Sequence, residues 1–347
     1  MNMGKKLFLF FVMAPLLALS LAGGKIYYDL SVWTYSGPEI VFSISPGENF
    51  SKINGRLKNS NIISNPKVFH HYCKLRGYLT SFRTGSFKIP PRANMLKVID
   101  ILLKDPGITI RVTIPEGKNI FEIGKLLESR GVTPYKEFIK WTRNPKFMQE
   151  LGIPAARVEG YLFPNTYNFS PKSSAKQVIR AMVKEFRKNY KEIVGTPSLL
   201  SDHEVVILAS IVEKETGAAH ERPTIAGVFH NRLKKPMRLQ SDPTTIYGIY
   251  ETYNGNLRKK HLQTKTPYNT YRINGLPKGP ISNPGKESLK AVIQPTNHKF
   301  LYFVSKNDGT HIFSRTYKDH RKAVKKWQKT RANRRGRSWR NLKKKTQ

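Results

Sequence analysis

"VTIPEGKNIFEIGKLLESRGV", residues 112–132, passes from a short β-type run through a Pro/Gly turn into a helical pattern. Ile123 and Leu127 lie four apart, so they form an apolar stripe that a sheet must cover. An earlier stretch, "EIVFSI" followed by a turn at Pro46-Gly47 and "FSKINGRLKNSN", has the same order. Gly47 matches Gly117, Ile53 matches Ile123 and Leu57 matches Leu127. One supersecondary element is used twice, and two copies are too few for a solenoid. "NPKVFHHYCKLRG" and "NMLKVIDILLKDPG" read as helices ended by glycine, and "YKEFIKWTRNPKFMQELG" reads as a helical stretch closing this half. The fold class is α+β.

The chain has 347 residues and 39% hydrophobic composition, enough for two or three cored domains. Its net charge of +38 points to polyanionic neighbours: nucleic acid, anionic lipid or a phosphate-bearing wall polymer. "LFLFFVMAPLLALSLAGG", Leu7 to Gly24, follows Lys5 and Lys6 without a charge. A cleaved signal peptide and an uncleaved transmembrane anchor both fit, since Ser20-Leu21-Ala22 resembles a cleavage site. The length of the run and the aromatic residues Tyr27, Tyr28 and Trp33 after it favour the anchor, with the lysines cytoplasmic and the rest outside. This export signal argues against nucleic acid as partner. Cys73 is the one cysteine, so the core must hold the fold without a disulfide.

The expected divisions are a stub and anchor at 1–24, an αβ domain at 39–152, a second, catalytic domain at 157–327 with mixed α/β structure, and a basic tail at 328–347. The last 27 residues, from Arg321, hold thirteen Lys or Arg and no acid. Such a tail has a disordered composition and suits anionic headgroups or wall phosphates.

"ILASIVEKETG", residues 207–217, poses the chemical question. Ser201 and Glu204 form a capping box that starts a helix at Asp202. Around it, Glu215 aligns with Leu208 and Ile211, and Glu213 lies nearly opposite with Val206 and Ala209. Both faces are apolar, so this is a buried helix. Apolar neighbours and the negative end of the helix dipole both disfavour the charge on Glu215, so its pKa is expected to rise. A carboxylic acid kept protonated near neutrality suits glycosidic bond cleavage. The plainer alternative is a solvated helix end with an ion pair among Glu213, Lys214 and Glu215. Downstream, Gln240, Asp242, Tyr247, Asn269 and Tyr271 are the amides, carboxylate and aromatic rings that bind sugars. Asp242 before Pro243 equally suits an N-cap, and Gly279 to Gly285 a rigid turn.

The strand-helix-helix-strand texture of the first half resembles LysM-type modules, which implies binding to N-acetylglucosamine polymers. More specifically, "EGYLFPNTY", "LASIVEKET", "RLQSDPTTIYG", "PYNTYRINGLPKGPISNPG" and "LYFVSKNDGTHIFSRTYKDH" resemble, in order, the endolytic murein transglycosylase (YceG-like) family. The match runs from about residue 40 to residue 327. The resemblance implies cleavage of peptidoglycan glycan strands outside the inner membrane, with no metal or organic cofactor. Peptidoglycan synthases (penicillin-binding proteins) are implied as partners.

The resemblance makes Glu215, followed by Thr216, the catalytic residue. It would protonate the bond between N-acetylmuramic acid (MurNAc) and N-acetylglucosamine (GlcNAc), then take the proton of the muramic C6 hydroxyl as a 1,6-anhydro ring closes. Glu159 and Tyr161 of the first motif join Gln240, Asp242, Tyr247, Asn269 and Tyr271 as substrate-binding residues. The chain departs from the family at Asn165, where many relatives carry an acid, and in its long basic tail.

Two rivals remain at this level. A muramidase would use Glu213, Glu221 or Asp242 as a second carboxylate, and a noncatalytic wall-binding scaffold would not need Glu215. "HEVVI" at His203 lacks the second histidine of a zinc protease, and "GPISNPGKES" lacks phosphate-loop spacing.

Overall fold

The structure is a computed structural model and describes residues 12–45, 47–195, 199–215 and 217–330. Lys5, Lys6, the first part of the expected anchor, Pro46, Thr216 and the tail from residue 331 lie outside the described residues. The chain separates into two compact units, residues 1–110 and 111–347.

The first unit begins with α1 (Ala14–Tyr27), an apolar helix with every residue exposed. Among the described residues, no helix is long and apolar enough to cross a membrane. The unit continues as β1 (Ile40–Ile44), α2 (Phe50–Asn59), α3 (Pro66–Leu75), β2 (Gly85–Ile89) and α4 (Met95–Lys104). β1 and β2 pair antiparallel, with Phe42 opposite Phe87 and Ser43 opposite Ser86. Ile53 and Leu57 of α2, Phe69 and Cys73 of α3, and Val98 and Leu102 of α4 close the core against that sheet. Burial pushes the Cys73 thiol up to about 12, so its thiolate is scarce and the residue behaves as a small apolar filler.

The second unit repeats the scheme. β3 (Ile110–Thr113) leads to α5 (Ile120–Ser129), α6 (Tyr135–Trp141), α7 (Pro145–Glu150) and β4 (Thr166–Phe169), which pairs with β3. The matched residues have equivalent roles. Gly47 and Gly117 both take left-handed backbone, φ 75° and 72°, and Asn49 and Asn119 both cap the helix that follows. Ile53, Leu57, Ile123 and Leu127 are all buried. Even the hydroxyl pair between the strands recurs: Ser43 to Ser86 and Thr113 to Thr166, each 2.8 Å.

Two further copies of the strand–turn–helix element escape the sequence pattern. β2 leads through Arg92 (φ 60°) to Asn94, which caps α4. β4 leads through Lys172 (φ 57°) to Ser174, which caps α8 (Ala175–Ile193) with a full capping box. Glycine marks the left-handed residue in the copies that the sequence reveals. A long basic side chain occupies it in the other two, so the cue is missing.

The 135–152 stretch is two helices rather than one, because Asn144 caps a new helix that has Pro145 in its first turn. The boundary between compact units also differs from the linker expected at 152–157. It falls before the second strand–turn–helix because that element is tied by buried hydrogen bonds to residues far downstream. Ile120 N–H donates to Glu159, and the Asn283 side chain donates to the Lys118 carbonyl at 2.9 Å.

The rest of the second unit packs around α9 (Asp202–Glu215). Its neighbours are α10 (Arg222–Lys234), α11 (Asp242–Gly248) and α13 (Lys286–Ile293), with α12 (Lys259–Gln263) beside α11. A hairpin of β5 (Tyr302–Ser305) and β6 (His311–Ser314) and α14 (Tyr317–Val324) complete it.

Candidate active site

α9 starts as its sequence predicts. The Glu204 carboxylate accepts from the Ser201 N–H and hydroxyl, at 2.9 and 2.8 Å, and Ser201 Oγ accepts from the Glu204 N–H. Val205 to Val212 are all buried, so both faces of the helix are core. Ser210 is the polar exception. Its hydroxyl donates to the Ile207 carbonyl and accepts from Ile281 N–H at 3.0 Å, while Ser282 donates to the Ser210 carbonyl. The Gly279–Gly285 loop can therefore run buried against the helix, since each of these backbone groups finds a partner. Gly160 completes the junction: a Cβ there would lie 2.6 Å from Pro280 and 2.7 Å from Val206.

The three charges that end α9 divide into two roles. Glu213 pairs with Arg222 at 3.2 Å and accepts from Gly285 N–H at 3.0 Å, the residue preceding α13. Lys214 donates to the Gly117 carbonyl. Those two hold the helix end in place, but not as the plainer reading has it: the ion pair of Glu213 is made to Arg222 rather than within the trio, and Glu213 is not solvated. Glu215 has no ion-pair partner among the described residues. It is half-buried, and its Oε1 accepts from the Ser241 hydroxyl at 2.5 Å. Burial pushes its carboxyl up to about 7, and nearby Asp242 pushes the same way. The Ser241 hydrogen bond and the charge of Arg232 oppose them.

Ser241 was missed in the sequence reading, although it stands next to two chosen residues. It occupies the N-cap position of α11, which sequence reading offered to Asp242. Its side chain makes no cap hydrogen bond and turns to Glu215 instead. The turn that delivers it holds Gln240 at φ 51°, unusual for a side-chain-bearing residue, with the Gln240 side chain exposed. Asp242 is exposed and accepts from the Tyr271 hydroxyl at 2.8 Å. Arg232, also missed, is buried with its guanidinium on the carbonyls of Leu301 and Leu239. Thus Glu215, Ser241, Asp242, Tyr271 and Gln240 gather at one place, with Arg232 acting on it electrostatically.

The other chosen residues are engaged elsewhere. Glu159 is 1% exposed; it accepts from Ile120 N–H, from Tyr247 Oη at 2.9 Å and from Asn283 Nδ2 at 2.7 Å. Burial pushes its carboxyl up to about 8 against those hydrogen bonds. Asn283 also accepts from the N–H groups of Gly160 and Leu162, so it joins three segments. Asn269 is fully buried, donating to the carbonyls of His261, Leu262 and Thr264 and accepting from Thr245. Tyr161 is buried, bonded at 2.7 Å to His203 and stacked on it. Asn165 donates to Glu185 on α8 at 3.2 Å. An acid in its place would face that carboxylate. Tyr247 belongs with Glu159: its hydroxyl donates to that carboxyl and its ring packs edge-on to Tyr268.

A family model described as the YceG-like family matches residues 42–326. An endolytic murein transglycosylase of Bacillus subtilis strain 168 is 31% identical, over 88% of this chain and 90% of that protein. One from Streptococcus pneumoniae strain D39 is 26% identical, over 89% of this chain but 63% of its own length. The crystal structure of a YceG-like protein from Listeria monocytogenes, 30% identical, superposes with a TM-score of 0.55, covering 83% of this chain and 100% of that one.

Proposed function

We propose, from the premise that this chain belongs to the YceG-like family, that it is a lytic transglycosylase cutting nascent peptidoglycan strands internally between MurNAc and GlcNAc, and so ending their elongation. The observation that carries the reading is Glu215, a carboxyl raised to about 7 at the end of a buried helix and touched by a serine hydroxyl. Near neutral pH such a group exists in both forms, as an acid that later serves as base must.

Protonated Glu215 gives its proton to the glycosidic oxygen as the bond to the muramic C1 breaks. The carboxylate then takes the proton of the C6 hydroxyl while O6 bonds to C1, leaving a 1,6-anhydro end with no water in the product. The nucleophile belongs to the substrate, so proximity replaces a second catalytic carboxylate. Ser241 orients the Glu215 carboxyl and stabilises its charged form once the proton has left. Gln240, Asp242 and Tyr271 offer polar groups to sugar hydroxyls beside it. Glu159, Tyr161 and Asn269 serve the site as its buried frame, and Tyr247 presents a ring.

We place the enzyme in the plasma membrane, anchored by Leu7–Gly24 with its catalytic unit on the outer side. The wholly exposed apolar α1 supports this. The strand-helix-helix-strand units support a LysM-like contribution to glycan binding. Peptidoglycan synthases are the expected partners, and the basic tail suits anionic lipid or wall polymer.

Mass spectrometry of products from uncrosslinked strands tests the reading: anhydro ends from the wild type and none from Glu215→Gln are expected. Asp242, held by Tyr271 near Glu215, is the observation that favours a muramidase as second reading. Reducing ends that depend on both carboxylates would establish it. Intact strands with retained glycan binding would favour a scaffold.

A further inference from the structure

Apart from the groups around Glu215, the second unit contains a cleft of about 590 Å³. Its walls are aromatic: Phe121 stacks on Tyr250 at 4.6 Å, and Tyr247 meets Tyr268 at 4.8 Å. Two cations line it, half-buried Arg157 and exposed Lys278. Among the described residues neither has an ion-pair partner. Neither acid lining it makes an ion pair with them, although the charge of Arg157 is felt at Glu159. Glu159 is buried and held by its own hydrogen bonds, and Glu251 is exposed. A half-buried guanidinium left open beside stacked rings suits a carboxylate attached to a flat or ring-bearing ligand.

The cleft is also linked to Glu215. α11 begins at Asp242, beside the serine that bonds Glu215, and ends at Gly248 in the cleft wall. Seven helical residues span about 10 Å.

Resting on the glycan-strand reading above, we propose that this cleft seats the acidic peptide stem carried by a muramic residue of the strand. Its carboxylates meet Arg157 and Lys278, and its backbone lies against Tyr247, Tyr250 and Tyr268. The enzyme thereby prefers strands that still bear their stems over strands stripped of them.

The test uses the full chain carrying Glu215→Gln, so that ligand survives, in calorimetric titrations. The probes are a disaccharide–tetrapeptide muropeptide and the same disaccharide without peptide. Expected is a preference of about tenfold or more for the stem-bearing probe, in line with charge-assisted hydrogen bonds. Adding Arg157→Met and Lys278→Met should remove that preference while leaving the bare disaccharide's affinity unchanged, and Arg157→Lys should restore part of it. Equal affinity for both probes, or a preference indifferent to these cations, overturns the stem site and leaves the glycan reading standing. Failure of both probes to bind overturns the glycan reading and the stem site together.

Discussion

The two strand-helix-helix-strand units share their turns, caps and inter-strand hydroxyl pairs, yet they hold together differently. In the first, the sheet and helices close on an apolar core of their own, Phe42, Phe69, Phe87 and Leu102 among it. In the second, the turn before α5 is bound by polar groups from distant chain: Gly117 donates to the Asn283 carbonyl, and Ile120 to Glu159. An apolar core makes a unit self-sufficient. Buried hydrogen bonds with specific partners make one a fixed part of something larger, because each partner lost leaves another group unsatisfied.

That contrast can be broken or sharpened in order of expected effect. Glu215→Gln should lower strand cleavage about 10²- to 10⁴-fold, the typical share of general acid–base catalysis, with an unchanged circular dichroism spectrum. A parallel loss of fold would mean that Glu215 belongs to the framework. Next, Glu159→Ala should cost about 3–5 kcal/mol in urea unfolding, since it strands Ile120 N–H, the Tyr247 hydroxyl and Asn283 Nδ2. By comparison, Asn49→Ala in the first unit removes only a helix cap and should cost about 1 kcal/mol. Similar costs would erase the distinction between the units.

Ser241→Ala should reduce activity about tenfold, the scale of one hydrogen bond to a charged group. Because that bond favours the carboxylate and the reaction starts from protonated Glu215, its loss should move the alkaline limb of the pH–activity profile upward; an unmoved limb would detach Ser241 from Glu215. The same raised carboxyls govern stability. Folded Glu215 and Glu159 keep their protons to about 7 and about 8, whereas the unfolded chain releases them near the ordinary 4.5. Between those values the unfolded state binds fewer protons, so stability falls as pH rises from 4.5 to 8. The urea midpoint should be lower at pH 8 than at pH 5, and Glu215→Gln should flatten part of the slope.

Smallest of all, Arg92→Gly and Lys172→Gly should each stabilise by up to about 1 kcal/mol by relieving left-handed backbone. A loss instead would show that those side chains do more than fill the turn.

Much of this was legible in the chain. The capping box at Ser201 and the apolar stripes of α2 and α5 each act within a few residues, so local pattern reveals them. The raised pKa of Glu215 was also readable, since a greasy helix and its own C-terminal dipole are local facts. The anonymous copies at Arg92 and Lys172 were not, because their cue is a backbone angle that side chain identity does not announce.

What the sequence by itself determined, then, is where α2, α5 and α9 lie, which faces they bury, and that one carboxyl at the end of α9 would be awkward to ionise. Tertiary structure alone decided which acid stays available. Arg222 and the start of α13 claim Glu213, while Ser241 reaches Glu215 from a turn 26 residues away. It alone made Glu159, Tyr161 and Asn269 framework, through partners up to 124 residues distant. Helix and strand preferences arise from neighbouring bonds, but the satisfaction of a buried polar group depends on whatever the folded chain brings beside it.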